Sequence, residues 1–292
     1  MAKKLIEQKH QVTILDNFST GRIKNIENIS VQVQHKNVLK VTSGIDKFDV
    51  VFHLAAKPFS KANINWFDES NSIFQTNVVG TYNILRLINQ NCHFIFTSSA
   101  SVYGEGRRLE EESPYRPLSA YGYSKMMAEQ IIINSPRIYT IVRPATIIGP
   151  RGRCFPNRVM WSIVKNNPCK FFKNGQVLRD IIDVNDVTSA LTEIMNQKVL
   201  GIFNLGTNTE ILGVELGNVA SKIANEWGMK LKTQFTSFVP SDFVTKSTLN
   251  STKLHTTLKW QPEYNLYRSL STIFDYYHFN SNIKEPPSWD SL

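Results

Sequence analysis

The sequence is poor in cysteine, in clustered glycine, in long apolar runs and in acidic residues, and each shortage removes a class of protein. Its three cysteines, Cys92, Cys154 and Cys169, form neither a CxxC pair nor an even disulfide set. A disulfide scaffold and a metal module are therefore not expected, and a reducing, cytoplasmic compartment fits best. No stretch approaches the roughly 18 apolar residues of a membrane helix. The start, Met-Ala-Lys-Lys-Leu-Ile-Glu-Gln-Lys-His, carries charges throughout, with no apolar signal region. Asp and Glu number 24 against 33 Lys and Arg, a formal charge of +9. The basic residues are scattered, and no RNP, helix-turn-helix or zinc pattern accompanies them, so nucleic acid is not the expected partner. A small phosphorylated ligand suits the charge. Hydrophobic residues are not scarce: at 41% of 292 they exclude a disordered chain and allow one large or two modest domains.

Short β-branched runs alternate with amphipathic stretches over the first half. Val12–Leu15, Val31–Val33, Val50–Leu54, Phe94–Thr97 and Tyr139–Val142 read as strands, Asn71–Asn89 and Ser124–Asn134 as helices. Near-continuous apolar strands separated by helices predict an α/β fold with a doubly wound parallel sheet covered on both faces. Beyond Gly149-Pro150 the texture turns to Pro, Arg, Asn and aromatics. Helices are predicted over Arg158–Lys165, Asp186–Met195, Val214–Trp227 and Leu266–Tyr277, and near Lys253, with a strand at Ile202–Leu205. The expected division is a sheet domain of residues 1–149 plus about 183–205, and a smaller lobe of about 150–182 plus 206–292.

Two features carry chemistry. Tyr121-Gly-Tyr-Ser-Lys125 heads a helix, where residues four apart share a face, so a phenol and an ammonium can serve one site. A tyrosine titrates near 10, and a neighbouring ammonium favours its phenolate. The second is Phe94-Ile-Phe-Thr-Ser-Ser-Ala-Ser-Val-Tyr-Gly104, a strand running into a cluster of hydroxyls that includes Ser99. Ligands of open α/β sheets bind at the C-terminal ends of such strands. His53 reads as a satisfied core histidine. Ser99 lies in no G-x-S-x-G elbow, which argues against a hydrolase.

Together with Val12-Thr-Ile-Leu-Asp16-Asn17-Phe-Ser-Thr-Gly21, Val51-Phe-His53-Leu-Ala-Ala56, Asn77-Val-Val-Gly-Thr81, Arg143-Pro-Ala-Thr-Ile-Ile-Gly-Pro150, Gly175-Gln-Val-Leu-Arg179, Phe203-Asn204-Leu-Gly206 and Leu258-Lys-Trp-Gln-Pro262, these motifs give the chain its resemblance. It resembles the extended short-chain dehydrogenase/reductase family, with a Rossmann-like domain and a substrate lobe, and within it the nucleotide-sugar epimerases and dehydratases, in the manner of UDP-glucose 4-epimerases. The resemblance runs from Val12 to about Pro262. It implies NAD as cofactor, a nucleotide sugar as substrate, and Ser99, Tyr121 and Lys125 as the catalytic set: oxidation at C4 by hydride transfer, then return of hydride to the other face. It assigns the cofactor to Asp16, Asn17, Asn37, Val38, Leu54, Ala55, Ala56 and Asn77, besides Tyr121 and Lys125. Asp16 would bind the adenosine ribose and favour NAD over NADP. It assigns the substrate to Ser99, Thr146, Asn157, Arg179 and Asn204, and implies a homodimer through Asn71–Asn89 and Ser124–Asn134.

The chain also departs from that pattern. Ala100 and Ser101 stand where dehydratases carry Asp-Glu, which turns the reading toward an epimerase or a simple reductase. Asn37, Thr146 and Val239 replace an Asp, an Asn and an Arg, the last in an R-x-x-D pattern that ends at Asp242. No GxGxxG or GxxGxxG occurs among the 14 glycines, and residues 2–9 read as the end of a helix leading directly into Val12–Leu15. By ordinary element lengths about 15–20 residues of strand and Gly-rich turn are wanting at the front. The expectation is a longer protein read from an internal start, whose sheet is interrupted. The alternatives are another enzyme of the same family, a reductase or dehydratase, or a non-catalytic homologue serving as a binding module.

Overall fold

The structure, a computed structural model, describes residues 1–58, 66–239, 243–280 and 282–283. Asp242, one of the positions singled out above, lies outside them. The chain opens with α1 (Ala2–Glu7), β1 (Thr13–Asp16), β2 (Gln32–His35) and β3 (Val50–His53), then α2 (Trp66–Phe74) and α3 (Gly80–Leu87), β4 (His93–Thr97), β5 (Gly106–Leu109) and α4 (Ala120–Ile133). There follow β6 (Ile138–Pro144), β7 (Thr146–Ile148), α5 (Phe155–Val164), β8 (Pro168–Phe171), β9 (Leu178–Arg179), β10 (Ile181–Asp183), α6 (Val184–Asn196) and β11 (Gly201–Leu205). The last elements are β12 (Ile211–Leu212), α7 (Gly213–Glu226), β13 (Lys232–Phe235), β14 (Lys246–Leu249), α8 (Thr252–Leu258) and α9 (Leu266–Phe279).

Four parallel strands in the order β11-β6-β4-β3 form the central sheet. The apolar runs that predicted them are its buried middle: Phe94, Ile95 and Phe96 of β4 are 0–1% exposed. One face is covered by α3 and α4 through Ile84, Leu85, Ala128 and Ile132. The other is covered by α6, and by α8 through Leu254 and Leu258, so α8 packs beneath the sheet rather than within the smaller lobe. The predicted helix over 71–89 is longer and not uniform. It runs from Trp66 to Leu87 through a π turn at Gln75–Val79, a local widening often found at functional positions.

The expected interruption of the sheet is present. Among the described residues β1 pairs in parallel with β2 alone, and β3 pairs with β4 alone, so each has one ladder edge without a strand partner. All four residues of β1 are half-buried and most of β2 is exposed.

The smaller core holds Val159, Met160, Leu216, Ile223, Ile273 and Phe274 from α5, α7 and α9. Around it lie a parallel pair, β8–β13, and a mixed sheet, β12-β9-β14-β5. These strands have two to four residues. That is too short for a period-two pattern to stand out.

Candidate active site

The hydroxyl cluster sits where β4 ends. Ser99 is extended (φ −166°, ψ 150°) and caps the single 3-10 turn Ala100–Val102, its Oγ accepting from the Ser101 N–H at 3.1 Å. Ser119 caps α4 by accepting from the Gly122 N–H, which places Tyr121 and Lys125 in the first two turns. Gly122 lets the helix start press against the serine turn: a Cβ there would lie 2.7 Å from the Ser101 carbonyl oxygen. The Ser99 hydroxyl donates to Ser101 Oγ at 2.9 Å and lies close enough to the Tyr121 phenol to lower its pKa, and the Lys125 ammonium lies 5.8 Å from the centre of the Tyr121 ring. Structure and sequence agree on the meeting of these three side chains.

Their electrostatics differ from the expectation. Burial pushes the Tyr121 phenol up to about 12, against the lowering effect of the nearby Ser99 hydroxyl. Burial also brings the Lys125 ammonium down to about 7, against the opposing pull of the Glu129 carboxylate. Lys125 is 2% exposed, donates to the Thr97 carbonyl at 2.7 Å and lies over the Phe96 ring. Desolvation of both groups therefore outweighs the mutual effect expected from their spacing.

Asn77 lies in the π turn and is 1% exposed. Its amide accepts from the Lys57 N–H (2.7 Å) and donates to the Lys57 carbonyl and to Ser124 Oγ (2.9 Å each). It thus ties the chain leaving β3 to α4, beside the half-buried Ala55 and Ala56 and the exposed Leu54. His53 is a core residue, as read: its Nε2 lies 2.9 Å from Thr81 Oγ1, its ring stacks on Phe94 and Phe96, and burial, then Lys125, lower it to about 3.

At the other edge, Asp16 ends β1. Its Oδ1 accepts from the Phe18 N–H at 2.7 Å, and its other oxygen lies beside Gly21. Asn17 and Asn37 form the same kind of turn with the N–H groups of Ser19 and Leu39. Val38 is committed to packing: it is buried against Gly80, where a Cβ would lie 2.7 Å from its Cγ2, and its carbonyl accepts from Asn83. It is a core residue rather than an open cofactor contact.

The substrate candidates separate into two groups. A cavity of about 250 Å³ is lined by Thr146, Arg153, Phe171, Phe172, Arg179 and Phe243, among others. Arg179 stands over the Phe243 ring, donates to the Leu178 carbonyl, and is lowered to about 10 by burial, against the effect of Glu105. Thr146 and Arg179 thus share one cavity. Asn157 and Asn204 do not line it. Asn157 donates to the Gly149 carbonyl and accepts from Cys154, and Asn204 accepts from Tyr103 and donates to the carbonyls of Leu109 and Asn250. Both are 0% exposed, so their amides serve the fold and not an open site. The aromatic wall and Arg153 were missed, because Phe243 is distant in sequence and no spacing links it to Phe172.

The profile of the NAD dependent epimerase/dehydratase family matches residues 1–206. A putative UDP-glucose 4-epimerase of Methanocaldococcus jannaschii is 28% identical over 298 residues, covering 95% of this chain and 94% of that protein. A UDP-N-acetyl-alpha-D-glucosaminuronate decarboxylase of Bacillus cytotoxicus is 30% identical over 72% of this chain and 71% of its own length. In fold, the chain is similar to the crystal structure of UDP-glucuronic acid 4-epimerase from Bacillus cereus in complex with UDP-glucuronic acid and NAD. The TM-score is 0.82 at 24% identity, over 94% of this chain and 93% of that one. The strand–hydroxyl turn, the Tyr121–Lys125 helix and the profile match converge on one conclusion: the chain belongs to the NAD-dependent epimerase/dehydratase family.

Proposed function

We propose that this protein is an NAD-dependent epimerase acting at C4 of a nucleotide sugar. One observation carries the reading: Ser99, Tyr121 and Lys125 meet at the C-terminal end of β4, the Ser99 hydroxyl close enough to the phenol to act on its proton affinity and the Lys125 ammonium 5.8 Å from its ring centre.

The described residues fit NAD at its two riboses. Asp16 has one carboxylate oxygen outside its turn, suited to ribose hydroxyls, and the small Ala55 and Ala56 leave room at the end of β3. Lys125 and Tyr121 would hold the nicotinamide end. Among the described residues no glycine-rich turn supplies a phosphate cradle. Bound NAD supplies hydride acceptance and return at C4 of the sugar.

The chain's own groups handle the proton. Tyr121 takes the proton of the sugar 4-hydroxyl and gives it back after the keto-sugar has turned over, while Ser99 orients that hydroxyl. The buried phenol holds its proton at neutral pH. Tyr121 must therefore pass that proton to solvent before it can take the sugar's, a loss that the Lys125 charge in a water-poor setting favours. The cavity with Arg179 and Thr146 takes the nucleotide diphosphate, a guanidinium facing phosphate oxygens and the Phe171, Phe172 and Phe243 rings supplying an apolar wall. We assign the nucleotide sugar to the lobe formed by 150–182 and most of 206–292, and NAD to the sheet domain. The outer faces of α3 and α4 carry Tyr82 (55% exposed), Tyr123 (48%) and Met127 (43%), and the reading places a second copy against them. Its setting is cytoplasmic, consistent with three free cysteines.

The deciding experiment incubates the chain with NAD and, separately, UDP-glucose, UDP-galactose and UDP-glucuronic acid. The expected result is interconversion of C4 epimers without accumulation of NADH. Release of carbon dioxide from the acidic sugar would replace the epimerase with a decarboxylase, and no conversion of any sugar would sink the reading.

A further inference from the structure

Behind Ser99 and Lys125 lies a buried ion pair that the mechanism above does not use. Glu129, one helical turn beyond Lys125 on α4, is 0% exposed, and Arg143 of β6 is 1% exposed. Arg143 Nε donates to both carboxylate oxygens (3.0 and 3.1 Å) and its Nη2 to Oε2 at 2.6 Å. Tyr115 donates to Oε2 at 2.7 Å, and Ser98, the residue before Ser99, donates its hydroxyl to Oε1. Arg143 Nη1 in turn donates to Tyr103 Oη at 2.7 Å and to the Glu111 carbonyl at 2.9 Å.

Desolvating two charges is expensive, and apolar residues of similar size are often as stable or more so. Stability alone therefore does not explain the pair, whereas its placement does. Ser98 is 2% exposed, and its bond to Glu129 fixes the backbone from which Ser99 projects. Glu129 and Lys125 stand four apart on α4, a spacing at which charges interact directly. The geometry points to Glu129 as a positioning residue of the catalytic site: paired with Arg143 and bonded to Ser98, it holds the Ser98–Ser99 turn one helical turn from Lys125. This rests on the reading of Ser99, Tyr121 and Lys125 as the catalytic set.

The titratable or charged groups turned toward Lys125 are Tyr121 and Glu129 on its own helix, His53 from β3 and, behind Glu129, Arg143 from β6. His53 is held near 3 and Tyr121 near 12, so neither titrates beside Lys125 near neutrality. Burial alone works against the Arg143 charge, yet its bonds to Glu129 hold its pKa above the ordinary value. Removing the Glu129 charge leaves Arg143 charged but unpaired, so Lys125 is the group whose titration near neutrality reports the loss.

The test uses the full chain in three forms. Glu129→Gln keeps the shape and removes the charge. Glu129→Asp keeps the charge and shortens the reach to Ser98. The double variant Glu129→Met/Arg143→Met removes both buried charges and keeps the fold if Gln beside an unpaired Arg143 does not. Two readouts are taken: kcat and KM against pH with the sugar found above, and the pH titration of the Lys125 side-chain nitrogen by NMR, which needs no activity. Glu129→Gln is expected to lower kcat by about tenfold to a hundredfold with little change in KM. It should also move the alkaline limb and the Lys125 titration to lower pH by about one unit. Glu129→Asp should leave the titration in place and lower kcat, and the double variant should move the titration as Gln does. A Lys125 titration unmoved in both Gln and Met/Met forms, with kcat per folded molecule unchanged, overturns the assignment. If the wild type converts no sugar, the proposed activity fails, while the titration still decides the role of Glu129.

Discussion

The catalytic seam between β4 and α4 and the β1–β2 edge are both rich in polar side chains, and they are held in opposite ways. At the seam the local caps at Ser99 and Ser119 are locked together by long-range bonds: Ser98 to Glu129, Asn77 to Ser124 and the Lys57 backbone, Lys125 to the Thr97 carbonyl. At the edge Asp16, Asn17 and Asn37 each bond a backbone N–H two residues on. A side chain fixed by distant partners in a dry interior is positioned only when the whole domain is folded, and it reports on one geometry. A turn closed by its own neighbours exists with or without the rest of the site. The proposed chemistry therefore rests on a seam that folds as one unit, and the proposed cofactor contact at Asp16 on an edge that depends little on its surroundings.

The sharpest way to break this comparison is Tyr121→Phe. Only the phenolic oxygen is lost, so folding and NAD affinity should stay close to wild type while kcat falls by about 10² to 10⁴. Steady-state kinetics beside calorimetric NAD titration check it, and retained turnover would move the chemistry off this seam. The same contrast should appear in stability. Phe94→Ala empties a site that is 0% exposed in the middle of β4 and should cost about 3–5 kcal/mol, whereas Val33→Ala, 39% exposed on β2, should cost under about 1 kcal/mol. Urea denaturation of the two variants measures the difference.

Legibility in the sequence follows the same division. The central strands were readable because β4 and most of β6 are runs buried on both sides and β3 is a short β-branched run beside them, and the helices because α3 and α4 alternate with them at helical period. Ser99, Tyr121 and Lys125 were readable because a hydroxyl cluster at a strand end and an i, i+4 pair leave a local imprint. Glu129 was not, since a glutamate inside a helix looks like any solvated one until Arg143, some fourteen residues on, folds back to meet it. Asn157 and Asn204 misled for the complementary reason: an asparagine in a motif shows that its amide is needed, not whether a ligand or a carbonyl needs it. Both answer to backbone carbonyls. The short strands of the smaller lobe carry too few residues for any period to show.

Lys125 makes the seam's dependence on burial measurable. Its ammonium is lowered from an ordinary 10.5 to about 7, burial being the cause. Between those two values the unfolded chain holds a proton that the folded chain has released, so stability should rise with pH across that window, by on the order of 4 kcal/mol in total. Below about 7 the full penalty is present. Lys125→Met should flatten the rise, and at pH 6 the variant should melt higher than wild type while turning over far more slowly. Thermal melts at pH 6, 8 and 10 check the sign, and a wild-type curve falling with pH over that range would contradict it.

The smallest expected effect belongs to the edge, and it separates local structure from ligand recognition. Asp16→Asn keeps an oxygen able to accept from the Phe18 N–H, so the turn after β1 and the melting temperature should be preserved. What disappears is the negative charge proposed to meet the adenosine ribose. Loss of a hydrogen bond to a charged group is worth about 1.5–3 kcal/mol, so NAD should bind about tenfold more weakly or somewhat worse. The preference for NAD over NADP should narrow, because nothing then repels a 2′-phosphate. Paired calorimetric titrations with the two dinucleotides measure both changes. Were Asp16→Asn to unfold β1–β2 instead, the edge would depend on long-range partners as the seam does. An unchanged cofactor preference in a folded variant would remove Asp16 from the cofactor site.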